Sequence, residues 1–356
     1  MSNNFRVRFA PSPTGEPHVG NIRTAIFDWL LAKRHGGEFI VRIEDTDRAR
    51  AVDGAVEVII EALKWLGLRL KYAPYKQSER LALYSEHAER LVEAGFAYKC
   101  YCSPERLDAV RKSRSKQDNA TGYDRRCRDL SQDERAERPV VRFRMPLEGT
   151  TTVDDLVRGE VTFENRLVDD FVMLKSDGFP TYHLAHLIDD HEMQITHVLR
   201  GEEWLPSVPR HLQLYEALGW KPPLFAHLPI ILAPDRSKLS KRHGATSLLD
   251  YREMGYLPHT MVNFLTLLGW SLDDKTELFT LDSLIENFSI GRVSKAGAIF
   301  NTEKLDWMNG HYIREMSADE LADTLLDFWQ AFPPLEIPTL PSRELALKIV
   351  PWFRSA

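Results

Sequence analysis

A chain of 356 residues, 43% hydrophobic and 28% charged, suits two or three globular domains with real cores. No apolar run approaches the roughly 20 residues of a bilayer helix, MSNNFRVRFA lacks a charged-then-apolar leader, and the only cysteines are Cys100, Cys102 and Cys127. A membrane-spanning or disulfide-stapled protein is therefore not expected, and a cytoplasmic one is. With a net charge of −6, a polyanionic partner must be met by a local basic patch.

FRVRFA (5–10) alternates apolar and charged residues as a strand does. A helix is predicted from about His18 to Arg34, with Val19, Ile22, Ile26, Trp29, Leu30 and Ala32 close to a 3.6-residue period. GGEFIVRIED reads as a second strand after a Gly-Gly helix stop. This β-α-β unit of about 40 residues opens a parallel, doubly wound sheet. Helices over about 52–68 and 78–95 fit the same pattern. Residues 98–150 break it with a cysteine pair, a basic run, and VVRFRMP and GTTTVDDLV as antiparallel strands, which reads as an insertion. Parallel α/β character is expected to resume near 170 in DFVMLKSDGFPTYHLAHLIDDHEM, with ITHVLRGEEW and FAHLPIILAP as later strands. From about 250 the chain turns helical, ending in an amphipathic helix, a Pro-rich connector and the start of another helix.

Three stretches carry chemistry. His18-Val19-Gly20-Asn21 opens a helix after strand one, where free N–H groups and the helix dipole attract anions. A histidine there can bond a phosphate oxygen, and Gly20 lets a flat ring approach the backbone. In RSKLSKRHG, Lys238 and Lys241 are spaced i, i+3 with Arg242 beside them, so the loop can close over a triphosphate. Both stretches would sit at the carboxyl edge of one parallel sheet. Cys100-x-Cys102 with Tyr123 and Cys127 has the look of a zinc knuckle, with Asp129 and water as rivals for Tyr123. Residues 100–128 carry eight basic residues (Arg106, Arg111, Lys112, Arg114, Lys116, Arg125, Arg126, Arg128) against four acidic ones, the local patch through which a polyanion's phosphates could be met.

HVGN and KLSKR resemble the two signatures of class I aminoacyl-tRNA synthetases, usually HIGH and KMSKR. APSPTGEPHVG, FIVRIEDTD, YHLAHLIDDHEM, HVLRGEEW, KLSKRHGATSLLDYREMGYLP and the stretch through KLDWMNG together resemble glutamyl-tRNA synthetases over about residues 5–315. The resemblance implies a Rossmann-like catalytic domain (1–85 and 166–235), an inserted acceptor-stem-binding domain (86–165), a KLSKR loop and helical stem-contact domain (236–318), and the start of a helical anticodon-binding domain (319–356). Most of that last region is expected to be lacking, and anticodon reading with it.

The implied reaction joins L-glutamate to the 3′ end of tRNA-Glu through glutamyl adenylate, using ATP with Mg2+. Activation of glutamate only with tRNA bound is also implied. The family's ATP site falls on His18, Gly20, Asn21, Lys238, Ser240, Lys241 and Arg242, with His18, Gly20, Lys238 and Lys241 carrying the chemistry. Its glutamate pocket falls on Arg8, Ala10, Ser12, Glu44, Tyr182, His186, Arg200 and Trp204, with Glu44 on the ammonium and the arginines sharing the carboxylates. Some family members hold zinc at the position of the cysteine cluster. Two positions depart from the family pattern: Asn21 replaces the second histidine of HIGH, and His186 stands where asparagine is commoner, which would add a pH dependence to substrate binding if it titrates near neutrality. A monomer is the default expectation. Other readings are the shorter paralogue that glutamylates a queuosine-modified tRNA, a small-molecule nucleotidyltransferase of the same fold, and a non-catalytic tRNA-binding remnant.

Overall fold

The computed structural model describes residues 5–114, 122–130, 139–240, 242, 247–333 and 340–355. The opening β-α-β unit forms as the spacing predicts. Strand β1 (Arg6–Phe9) runs parallel to β2 (Glu38–Ile43), from Arg6 opposite Glu38 to Phe9 opposite Val41, and α1 (Val19–Arg34) crosses between them. Gly36 and Gly37 stop the helix for different reasons. Gly36 adopts φ +60°, the left-handed region, and a Cβ on Gly37 would lie 2.2 Å from the carbonyl oxygen of Phe5. The second contact is with backbone, so only glycine lets β2 enter beside β1.

Helix α2 (Ala55–Trp65) leads to β3 (Tyr75–Lys76), parallel to β2. After α3 (Leu81–Glu93) come β4 (Ala97–Cys100), α4 (Pro104–Arg114) and β5 (Val140–Phe143), then the hairpin β6 (Thr150–Asp155) and β7 (Gly159–Glu164), then β8 (Val172–Leu174). Next follow α5 (Tyr182–Glu192), β9 (His197–Gly201), α6 (Val208–Ala217) and β10 (Leu224–Leu228). Strands β9 and β10 are parallel, and the sheet order is β7-β6-β10-β9.

Two strand expectations change. DFVML does not resume the parallel sheet: as β8 it pairs antiparallel with β5, which also pairs antiparallel with β4. GTTTVDD is an antiparallel strand, as expected, with β7 as its partner, but it also meets β10 in parallel, Asp155 opposite Phe225. Its alternating burial identifies a strand with one packed face, and alternation alone does not say which sheet receives that face.

Strand β9 lies beside β1. Thr196 N–H donates to Arg6 O at 2.9 Å, and the Arg8 guanidinium donates to Leu199 O at 3.2 Å. The parallel strands therefore run β3-β2-β1-β9-β10-β6, and the order reverses between β1 and β9. A crevice opens at the carboxyl ends of strands on either side of such a reversal.

The remaining elements are β11 (Ile231–Leu232), α7 (Leu248–Glu253), α8 (Pro258–Leu267), α9 (Leu281–Asn287), β12 (Ala298–Ile299), α10 (Thr302–Glu315), α11 (Ala318–Ala331) and α12 (Arg343–Ser355). The main core joins the β1-α1-β2 unit to α8 and α9, with Phe27 edge-on to Phe288 at 4.9 Å. Helix α11 starts with a Ser317/Glu320 capping box and packs on α12 through Leu321, Ala322, Ala346 and Val350. Among the described residues no helix is long and apolar enough to cross a membrane.

Candidate active site

His18 is the N-cap of α1, and Gly20 N–H donates to its Nδ1 at 3.0 Å. That bond fixes the neutral ring as the tautomer with its proton on Nε2, a donor placed at a helix N-terminus. A Cβ on Gly20 would press on His18 Nδ1 at 3.3 Å, so glycine leaves the ring its place. His18 also forms an antiparallel bridge with Ser247, and Leu248 N–H donates to Pro17 O at 3.2 Å. The chain downstream of KLSKR is thereby returned onto the first turn of α1, although Lys238 follows His18 by 220 residues. Lys238 is exposed and bridges Leu232, Ser240 is half-buried, and the exposed Arg242 donates to Ser237 Oγ at 3.2 Å. Lys241 lies outside the described residues.

Next to this helix end is a cleft of about 600 Å³. Arg8, Ala10, Ser12, Glu44, Tyr182, Arg200 and Trp204 line it, as does Asn21 of α1. Seven of the eight residues expected around the amino acid thus share one cavity. His186 is the exception: it is fully buried and stacks behind Tyr182 with ring centroids 4.5 Å apart. Burial pushes its imidazole down to about 4, so it does not titrate near neutrality and the pH dependence expected of it is withdrawn.

Beneath the cleft is an ionic cluster that the sequence reading missed. Arg8 Nε donates to Asp190 Oδ1 at 3.1 Å, and Arg42 Nη1 donates to the same oxygen at 2.7 Å. Arg42 also donates to Glu44 Oε1 at 3.3 Å and pairs with Asp189 at 3.6 Å. Asp189 accepts in turn from Gln77, Arg80 and Tyr84. Arg42 in β2 and Glu44, one residue past its end, are spaced i, i+2 in extended chain and share a face; VRIED and LIDD carried the only sequence signal. Burial opposes the charge on Asp190, but Arg8 and Arg42 outweigh it and hold the carboxyl well below the usual range. For Glu44, burial wins over Arg42 and Arg8 and lifts the carboxyl to about 7.

Arg200 differs from the other guanidinium groups here. Its Nε donates to His227 Nε2 at 3.0 Å, Nη1 to Tyr182 Oη at 3.0 Å, and Nη2 meets His211 Nδ1 at 3.3 Å. Burial holds both histidines below their ordinary value, so these partners are neutral. Among the described residues no carboxylate stands within ion-pair distance of Arg200, whose residue is 6% exposed. One N–H remains on each terminal nitrogen, the fork that takes a carboxylate in bidentate fashion. Along the cleft itself, the cationic residues Arg8, Arg50, Lys175 and Arg200 stand against the acids Glu44, Asp47 and Glu203. The site has one cation to spare, and it is built to receive an anion.

The cysteine cluster forms as expected. The Sγ atoms of Cys100, Cys102 and Cys127 lie within 4.8 Å of one another, and Tyr123 Oη is 3.2 Å from Cys100 Sγ and 3.8 Å from Cys102 Sγ. These spacings match the edges of a tetrahedral zinc site with about 2.3 Å Zn–S bonds. Arg142 stacks on the Tyr123 ring at 3.8 Å, placing a cation beside the cluster. Asp129 instead pairs with Arg144 at 3.0 Å and is exposed, which removes it as a rival ligand.

The basic patch is smaller than the sequence count. Arg106 pairs with Asp124, Arg111 with Asp108, and Arg125 and Arg128 with the buried Asp170. Of the eight basic residues, those four thus have acidic partners within the chain, Arg125 and Arg128 sharing one carboxylate. Lys116 lies outside the described residues.

The family model of class I tRNA synthetases (E and Q), catalytic domain, matches residues 4–307. A glutamate–tRNA ligase of Dehalococcoides mccartyi is 63% identical over 336 residues, covering 92% of this chain and 69% of the relative. One from Thermodesulfovibrio yellowstonii is 52% identical over 324 residues, covering 91% and 69%. The crystal structure of a glutamate tRNA ligase from Elizabethkingia meningosepticum, in complex with its amino acid, superposes with a TM-score of 0.89 at 41% identity, over 99% of this chain and 78% of that one. The chain belongs to the class I tRNA synthetases of the E and Q type.

Proposed function

We propose that this chain is a glutamate–tRNA ligase that joins L-glutamate to the 3′ end of tRNA-Glu through glutamyl adenylate. The observation that carries the reading is Arg200, a buried guanidinium with neutral partners in a cleft that has one positive charge to spare. Glutamate, with two carboxylates and one ammonium, brings a net charge of −1 at neutral pH. Arg200 takes one carboxylate, Arg8 lines the same cleft, and ionised Glu44 pairs with the ammonium.

ATP binds at the N-terminus of α1, its phosphates against the helix dipole and His18 Nε2–H, with Mg2+ brought in as the nucleotide complex. The α-carboxylate oxygen attacks the α-phosphorus and the bond to the β-phosphate oxygen breaks, releasing pyrophosphate. Lys238 and Lys241 balance the charge that builds on the leaving group. A ribose hydroxyl of the terminal tRNA adenosine then attacks the glutamyl carbonyl, and AMP leaves. No protein nucleophile takes part: positioning and electrostatics lower the barrier. Zinc held by Cys100, Cys102, Cys127 and Tyr123 would act structurally, tying α4 to β4.

The test is ATP-dependent transfer of labelled L-glutamate to unmodified tRNA-Glu. Charging that requires ATP and is lost in Arg200→Gln supports the reading. Label that reaches only queuosine-bearing tRNA, or equal charging with glutamine, overturns it.

A further inference from the structure

We propose that Asp155 and His227 are positioning residues for Arg200, fixing the plane in which its guanidinium meets the substrate carboxylate. This inference rests on reading Arg200 as a carboxylate receptor. Asp155 ends β6, and its Oδ1 accepts the backbone N–H groups of Val157 at 3.0 Å and Arg158 at 2.9 Å. Its Oδ2 lies 2.5 Å from His227 Nδ1, and His227 Nε2 lies 3.0 Å from Arg200 Nε. All three residues are buried: Asp155 is 2% exposed, His227 0% and Arg200 6%.

The direction of every bond in this chain is forced from its ends. A guanidinium only donates, so His227 Nε2 accepts and the ring proton sits on Nδ1. An ionised carboxylate only accepts, so Asp155 Oδ2 takes that proton's hydrogen bond. Asp155 is held ionised: burial raises its carboxyl, but the bonds from His227 and the Arg158 backbone outweigh burial and leave it below the ordinary value. A neutral ring with the opposite tautomer would aim Nε2–H at Arg200 Nε–H, donor against donor. The guanidinium would then turn, and the fork it opens to the cleft would turn with it. Asp155 thus does more than close the β6–β7 turn.

Asp155→Asn separates the two roles. Its side-chain oxygen can still accept the turn N–H groups, while its NH2 forces His227 into the wrong tautomer. The KM for glutamate in the charging reaction is expected to rise about tenfold or more, with the KM for ATP and the Tm near wild type. His227→Gln can donate to Asp155 and accept from Arg200, so it should keep the glutamate KM near wild type; His227→Leu should not. If Asp155→Asn leaves the glutamate KM unchanged, or shifts Tm and both KM values together, the positioning role is refuted. Should Asp155→Asn fail to fold, equal glutamate KM values for His227→Gln and His227→Leu refute it instead. Arg200→Gln, run alongside, separates the two claims. An unchanged glutamate KM there overturns the reading of Arg200 itself, whereas a raised one beside a silent Asp155→Asn overturns only this inference.

Discussion

Glu44 makes glutamate binding depend on pH, with a sign that the site dictates. Burial lifts its carboxyl to about 7 in spite of Arg42 and Arg8. At pH 7 about half of the empty sites therefore hold a neutral Glu44, and only the ionised form pairs with an ammonium. A bound ammonium returns the group toward its ordinary range, so binding expels a proton and tightens as pH rises. From pH 8 to pH 6 the ionised fraction falls about tenfold, and the affinity falls with it, on the order of 1.4 kcal/mol.

Fold stability has the opposite sign. A raised carboxyl helps the fold fully below its unfolded value of 4.5, and that help is lost as pH rises through about 7. Tighter binding at pH 8 therefore cannot be a stability effect. His186, pushed down to about 4, stays neutral over this window. The assay is titration calorimetry of L-glutamate into the tRNA-saturated protein at pH 6, 7 and 8, in two buffers of different ionisation enthalpy. About half a proton should be released per glutamate at pH 7, and Glu44→Gln should bind weakly and without the pH slope. A flat wild-type profile, or a slope that survives in Glu44→Gln, refutes the reasoning.

Other perturbations follow from the same geometry. Arg42→Ala leaves Asp189, Asp190 and Glu44 without their shared cation and should destabilise the fold by about 3–5 kcal/mol in urea unfolding at neutral pH; a loss below about 1 kcal/mol would contradict the cluster's role. His18→Asn keeps an N-cap acceptor for Gly20 N–H but removes the Nε2–H donor, so kcat for charging should fall about a hundredfold with Tm unchanged. Cys102→Ser should lower bound zinc, measured by atomic emission, from about one per chain toward none, and a chelator should lower the wild-type Tm. Equal metal content in both proteins would remove the knuckle.

Much of the site was legible because strand ends are legible. Arg8, Glu44 and Arg200 stand at or just past the carboxyl ends of β1, β2 and β9, and a doubly wound sheet gathers such ends at one crevice. The α1 boundary was readable from the Gly-Gly stop, which the close approach to Phe5 requires. Long-range pairing was not readable. The Arg42–Asp190 bond spans 148 residues, and nothing local marks the two as partners. The basic run looked like an open surface because Asp170, the buried acid that pairs with both Arg125 and Arg128, lies more than 40 residues further on. His186 was misplaced because its helix position gives the face of α5 but not the depth: Tyr182, one turn earlier, takes the cleft surface. Sheet membership was not readable either: GTTTVDD, expected within the antiparallel insertion, also joins β10 in parallel, and DFVML, expected in the parallel sheet, pairs antiparallel with β5.

The central claim is that Arg200 is left without an acid so that the substrate can supply one. A crystal structure of the protein with L-glutamate tests it most directly. A glutamate carboxylate within about 3 Å of both Arg200 terminal nitrogens, with the ammonium on Glu44, is the predicted result. Glutamate bound with its carboxylates on other groups, and Arg200 still facing only Tyr182, His211 and His227, would contradict it.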